Sequence, residues 1–149
     1  MTEPRAGLKR GYYLLNTDGG MASNGRRRSG DPLGRAAIGA LLRTPRLVTV
    51  AQISKAIGPA TQNVEYRALI EGLTLARDYG IQRIRVYMDS ELVVDQVNGV
   101  SAVRKEHLRE LHDVASSLVA LFDIRISWVP REMNAEADQL VKDALAALD

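Results

Sequence analysis

The stretch "RIRVYMDSELVV", residues 83–94, decides how the rest of the chain is read. Charged or aromatic side chains alternate with apolar ones from Arg83 to Met88, the two-residue period of a strand with one buried face. Asp89 breaks that pattern, and Ser90-Glu91-Leu92-Val93-Val94 opens like a helix with Ser90 as its N-cap. A carboxylate where a strand hands over to a helix has an ordinary role as a cap or turn residue. It takes on another meaning if acids stand at equivalent ends of other elements.

The segments on either side give the order of elements. Gly11 to Thr17 reads as a strand ending at Asp18-Gly19-Gly20, and Met21 to Gly34, rich in Gly, Ser, Asn and Arg, reads as a loop. Arg35–Leu42 and Leu47–Ile57 read as two strands joined by a hairpin through Thr44-Pro45-Arg46. Thr61–Tyr79 is helical, with Val64, Ala68, Leu69, Gly72, Leu73 and Ala76 on one face and Gly80 as its stop. After the 83–94 unit, Asn98-Gly99 marks a turn. Glu106–Phe122 is helical with the stripe Leu108, Leu111, Val114, Ala115, Leu118 and Val119. Ile124–Val129 alternates as a strand that Pro130 stops, and Asn134 caps a last helix carrying Ala137, Leu140, Val141, Ala144 and Leu145. Three consecutive strands can pair as an antiparallel meander, and each later strand, reached through helices, adds in parallel. The expectation is an α/β domain with a mixed sheet flanked by helices, spanning 11–149 after a polar tail at 1–10.

Composition bounds the function without naming it. The 149 residues suit one domain with a real core, 46% hydrophobic and 26% charged. No cysteine is present, so a disulfide framework and thiolate metal sites are excluded. The first ten residues hold no apolar run of the secretory kind, and no stretch is long enough to span a bilayer. A soluble cytoplasmic protein is expected, with no obligate protein partner evident. The net charge of +2 hides an asymmetry: residues 1–46 hold nine Lys and Arg against Glu3, Asp18 and Asp31, and the remainder eleven against fifteen acids. That asymmetry fits a polyanionic partner, and equally a basic segment that serves solubility.

On this map Asp18 and Asp89 both end strands. If those strands are parallel neighbours, both carboxylates lie at the same C-terminal edge, where open α/β sheets place their sites. Glu65 and Asp138 lie in the first turns of helices, a position that the helix dipole favours for any acid. Each of the four has an ordinary explanation alone. Their joint placement points to a hard cation, Mg²⁺ or Mn²⁺, since four clustered carboxylates would otherwise repel one another. A pair of such ions can activate water and stabilise a leaving oxygen in phosphodiester cleavage.

Five stretches in order, "NTDGG" (16–20), "GDPLGRAAIGALL" (30–42), "IGPATQNVEYRALIEGL" (57–73), "YMDSELVVDQVNG" (87–99) and "WVPREMNAEADQLVKDAL" (128–145), resemble type 1 ribonuclease H in its compact form without the basic protrusion. The resemblance implies a five-stranded mixed sheet of order 3-2-1-4-5. It implies an endonuclease that cleaves the RNA strand of RNA–DNA hybrids with two metal ions and leaves a 5′-phosphate. It implies Asp18, Glu65, Asp89 and Asp138 as the catalytic, metal-holding acids. Double-stranded RNA is a further candidate substrate. The rival readings are a non-catalytic hybrid-binding module and another nuclease of the same superfamily.

Gly19, Gly20, Gln62, Asn63 and Ser90 flank the acids and are candidates for reading ribose 2′-hydroxyls. Arg26, Arg27 and Arg28 form a run that either contacts phosphate or is a solvated loop. Many relatives carry a His in the loop before the last helix; here Arg131 and Glu132 stand there, and Arg131 is a candidate substrate contact. Asp31-Pro32-Leu33 replaces the usual Asn-Pro-Gly, and with Gln62-Asn63-Val64 before Glu65 the chain is either one residue shorter than the family there or has its amides shifted. His107 and His112 are read as helix-surface residues. The aromatic residues, Trp128 among them, are read mostly as core.

Overall fold

Seven consecutive buried residues, Ala36 to Leu42, lie in a strand with no inward–outward alternation. Such a run is stable only if both faces of the sheet are covered there. A computed structural model, which describes residues 11–22, 35–59 and 63–148, shows that covering. The N-terminal tail, the loop bearing Arg26, Arg27 and Arg28, and Gln62 lie outside the described residues.

Strands β1 (Tyr13–Ala22), β2 (Arg35–Arg43), β3 (Thr49–Pro59), β4 (Arg83–Met88) and β5 (Asp123–Trp128) form one sheet in the order β3-β2-β1-β4-β5. The first three pair antiparallel, and β4 and β5 add in parallel, as expected of right-handed crossovers. Helix α1 (Val64–Asp78) packs on β1 and β2, with α3 (Glu106–Val119) against it and α2 (Glu91–Val97) beside β5. Helix α4 (Ala135–Ala146) packs on β1, β2 and β3. None of the described helices is long and apolar enough to cross a membrane.

The main core lies on the α1 side, built from Leu15, Leu42, Tyr66, Leu69, Leu73, Ile84, Val86 and Met88. A buried polar chain crosses it. The Tyr66 hydroxyl donates to Gln96 Oε1 at 2.6 Å, and Gln96 Nε2 donates to the Ala102 carbonyl at 3.3 Å. His112 Nε2 lies 3.2 Å from the Gln96 carbonyl. α1, α2 and α3 are thereby joined at the residue after Glu65. The opposite face is thinner. A Cβ on Gly39 would stand 2.5 Å from the Ala137 carbonyl oxygen and 2.9 Å from Leu140 Cβ, so the missing side chain lets α4 lie directly on β2. The Ser54 hydroxyl donates to the Leu140 carbonyl at 2.7 Å and fastens the same helix to β3.

Several boundaries differ from the sequence expectation. β1 does not end at Asp18: it continues through Gly19, Gly20, Met21 and Ala22, because β2 pairs with it as far as Ala22 opposite Arg35. Only its parallel ladder with β4 stops early, at Asn16 opposite Tyr87. α3 ends at Val119 rather than Phe122, and Val114 is 47% exposed, since the face of α3 that meets α1 is narrower than the apolar stripe. Trp128 and Tyr79 are surface residues, 48% and 45% exposed. β5 is an edge strand, and the Tyr79 hydroxyl reaches the Val50 carbonyl from outside the core.

Gly39→Ala should cost roughly 1–3 kcal/mol in urea unfolding, because backbone rather than a flexible side chain blocks the added methyl. A change below a few tenths of a kcal/mol would mean that α4 shifts without resistance.

Candidate active site

The β1–β4 register brings the first two acids together. Asn16 stands opposite Tyr87, and one further step of the two-residue alternation sets Asp18 beside Asp89 on the same sheet face. On its other side Asp18 is paired with Gly39, the residue on which α4 rests. The first turn of α4 therefore carries Asp138 to Asp18, with which it shares a hydrogen bond. Glu65 comes from the opposite face. It is the second residue of α1, which presses so closely on β1 that a Cβ at Gly19 would lie 2.8 Å from the Val64 backbone. The Gly19 N–H donates to the Glu65 carboxylate and draws it over the edge of the sheet. A Cβ on Gly20 would in turn lie 2.8 Å from Val141. The consecutive glycines thus admit one helix from each side.

Oxygen atoms of Asp18, Glu65 and Asp89 all lie within 4.8 Å of one another. Asp138 stands outside this group of three, bonded to Asp18 and paired through Oδ2 with Lys142 Nζ at 3.1 Å. Asp18 is only 5% exposed. Its burial, then Glu65, Asp89 and Asp138 around it, push its pKa from an ordinary 3.8 to about 8. Glu65 is pushed from 4.5 to about 8, by burial first and then by Asp89, against the opposing pull of the Gly19 N–H and the Arg131 cation. Glu65 Oε1 and Asp89 Oδ2 are buried without a hydrogen-bond partner among the described residues. Unsatisfied carboxylate oxygens facing one another suit a hard divalent cation, so this donor set fits such a metal.

A second chain of buried groups fixes the approach to α4. Arg43 donates to Asn16 Oδ1 at 3.3 Å, Asn16 Nδ2 to Asn134 Oδ1 at 3.0 Å, and Asn134 Nδ2 to the Thr17 carbonyl at 2.9 Å. Asn134 closes a short 3₁₀ turn, Arg131–Asn134, and its side chain makes no capping bond to α4. Its expected capping role is thus corrected: its amide is occupied by β1 instead.

Among the candidates for ribose contact, Ser90 caps α2 by accepting from the Val93 N–H at 3.4 Å, and Asn63 stands at the start of α1. Arg131 is close enough to Glu65 to act on its charge. Residues not singled out in the sequence line a separate groove. A groove of about 550 Å³ between α2 and the start of α3 is lined by Leu92, Gln96, Arg104 and Lys105, among others. Arg104 and Lys105 sit in an irregular segment with no periodic signal, so only the fold brings them near α2.

Comparison with known proteins places these features in a wider set. The family model described as "Reverse transcriptase-like" matches residues 24–144. The "Bifunctional protein Rv2228c" of Mycobacterium tuberculosis is 40% identical over 137 residues, which are 90% of this chain and 35% of that protein. The chain therefore spans about a third of the length of the first curated relatives it matches. The crystal structure of RNase H1 from Halobacterium salinarum superposes with a TM-score of 0.80 at 35% identity, covering 92% of this chain and 99% of that one. LC11-RNase H1 in complex with RNA/DNA hybrid gives 0.78 at 32% identity, with 92% and 99% covered.

A carboxyl whose folded pKa lies above its unfolded value stabilises the fold fully below the unfolded pKa, and that contribution is lost as pH rises through the folded one. For Asp18 the window runs from its ordinary 3.8 to about 8. In chelator, thermal melts of Asp18→Asn should therefore gain on the wild type as pH rises from about 4 to 8. A difference independent of pH would contradict the burial of this charge. Asn134→Ala should cost roughly 1–3 kcal/mol in denaturant unfolding, because it orphans the Asn16 amide and the Thr17 carbonyl. Loss of no more than an exposed cap would show that the buried chain contributes little.

Proposed function

Because the chain belongs to the type 1 ribonuclease H family, we propose that it is a metal-dependent endonuclease that hydrolyses the RNA strand of RNA–DNA hybrids. The observation that carries this is the meeting of Asp18, Glu65 and Asp89 at the β1–β4 seam, with buried oxygens of Glu65 and Asp89 that have no hydrogen-bond partner among the described residues. In this proposal Asp18, Glu65 and Asp89 hold two Mg²⁺ ions, or Mn²⁺ in their place, and Asp138 completes the set from α4. Such ions, when bound, supply an activated water and the charge that stabilises the leaving oxygen. Hydrolysis adds water across the bond between phosphorus and the 3′ oxygen, giving a 5′-phosphate and a 3′-hydroxyl.

The protein's own part is to present unpaired oxygens and to tell RNA from DNA. Glu65, drawn over the sheet edge by Gly19, and Asp18, fixed by its pairing with Gly39 of β2, need no rearrangement to offer their carboxylates. Ser90 accepts the Val93 N–H and keeps its own O–H to donate to a 2′-hydroxyl. Asn63, Gln62 and the backbone groups of Gly19 and Gly20 are assigned to the same face of the ribose, and Arg131 to phosphate. Arg26, Arg27 and Arg28 are assigned to non-specific backbone attraction.

The deciding experiment is digestion of labelled RNA–DNA hybrid, RNA duplex and DNA duplex with Mg²⁺ or Mn²⁺, each compared with chelator. Hybrid should be cut and DNA duplex left intact, and the RNA duplex arm decides whether it is a second substrate. Asp18→Asn and Asp89→Asn should each remove most cleavage, by about 10²-fold or more, while melting no lower than the wild type without metal. Near wild-type cleavage by either variant would refute the assignment of the acids.

A further inference from the structure

The face of β4 and β5 turned away from α2 and α3 carries no helix among the described residues, since α4 packs on β1, β2 and β3. Arg83, Arg85, Asp123 and Arg125 are exposed on it. The register sets Arg83 opposite Asp123 and Arg85 opposite Arg125. Arg83 is paired with Asp123 at 3.4 Å, and the Tyr12 hydroxyl donates to the same Asp123 oxygen at 2.7 Å. The Arg83 and Arg85 guanidinium groups lie 4.8 and 4.9 Å from the centre of the Tyr12 ring. Tyr12 is thus fixed at its hydroxyl, and it orients Arg85 by cation–π attraction.

Arg85 and Arg125 make no ion pair among the described residues, although like charges side by side on one sheet face repel. Between them lies a depression of about 80 Å³ lined by Tyr12, Arg85, Asp123, Ile124 and Arg125. Asp123, whose charge would oppose an anion there, is already engaged by Tyr12 and Arg83. Two guanidinium forks, one of them pre-oriented, at a polar hollow form an anion receptor, and guanidinium geometry suits phosphate. The hollow lies on the same side of the sheet as Asp18 and Asp89. Arg83, Arg85 and Tyr87 share one face of β4, and the next step of that alternation is Asp89, so Arg85 lies roughly 13 Å along the strand from it.

We propose that the open face of β4 and β5 is a second nucleic-acid contact, where Arg85 and Arg125 hold backbone phosphates of a strand leaving the acid site. This rests on the hybrid-cleaving function proposed above. The test uses Arg85→Ser/Arg125→Ser in the full chain and two probes, a short blunt hybrid and the same hybrid with a long single-stranded extension. Binding is followed by fluorescence anisotropy in chelator across a range of salt, so that nothing is cut. The double variant should bind the extended probe about three-fold or more weakly, with a salt slope flatter by roughly 1–2, and the blunt probe with a much smaller loss. Its melting temperature in low salt should equal or exceed that of the wild type, because a repulsion has been removed. An unchanged slope and affinity for the extended probe would overturn the contact. So would displacement of the bound extension by polyglutamate but not by single-stranded DNA, which would assign the face to an acidic polypeptide. Failure of the wild type to cut the blunt hybrid with Mg²⁺ would instead refute the hybrid-cleaving function, so the two failures are distinguishable.

Discussion

A carboxylate in the middle strand of a five-stranded sheet is expensive to bury, and the pairing of β1 with β4 is what brings another acid beside it. Once Asn16 is opposite Tyr87, Asp18 and Asp89, each two residues further along, leave the pairing side by side. A slip of one residue would turn one of the two to the other face of the sheet. The large apolar core on the α1 side, with Leu15, Val86 and Ile84 in adjacent strands, holds that register against the repulsion. Stability and site geometry therefore rest on one alignment, and the acids lie where the sheet is hardest to deform.

The two helices that add the remaining acids reach the seam by opposite routes. α1 comes down on Gly19 and α4 on Gly39 and Gly20, each through a gap where a side chain is missing. The hydrogen bond from Gly19 to Glu65 and the chain from Arg43 through Asn16 and Asn134 then fix the entry angles. Asp138 has a cationic neighbour of its own in Lys142, one helical turn on. The other three acids lie close together, and burial first, then their mutual charge, raises the proton affinity of Asp18 and Glu65. Arg131 is the cation that offsets part of it at Glu65.

Local signals made much of this legible in the sequence. The alternation of Arg83–Met88, the Ser90 cap and the stripe Val64–Ala76 are short-range patterns, and each appears in the fold. The strand order came with the family resemblance, since periodicity alone does not say which edge of β1 receives β4. What escaped was set by distant partners. β1 extends past Asp18 because β2 continues to pair with it, and nothing within "NTDGG" signals that. Asn134 looked like a cap because a cap is a local property, whereas its amide is bound 118 residues away at Asn16. Exposure of Trp128 and Val114 followed from their places on an edge strand and at the margin of a packed face, which hydrophobicity does not reveal.

The covering of the sheet is uneven, and this bears on how the sequence can drift. Around Ala36, Ala37, Gly39 and Ala40 the strand is pressed by helices on both sides, so replacements there are confined to residues no larger than those present. Across β4 and β5 one face carries no helix among the described residues, and side chains there are not confined in size by the packed half. Lineages of this domain should accordingly keep a nearly invariant slab around the acids and accept bulkier replacements on the exposed strands wherever no phosphate is held. New specificities or appended modules would be acquired on that less crowded half, leaving the acid seam as inherited.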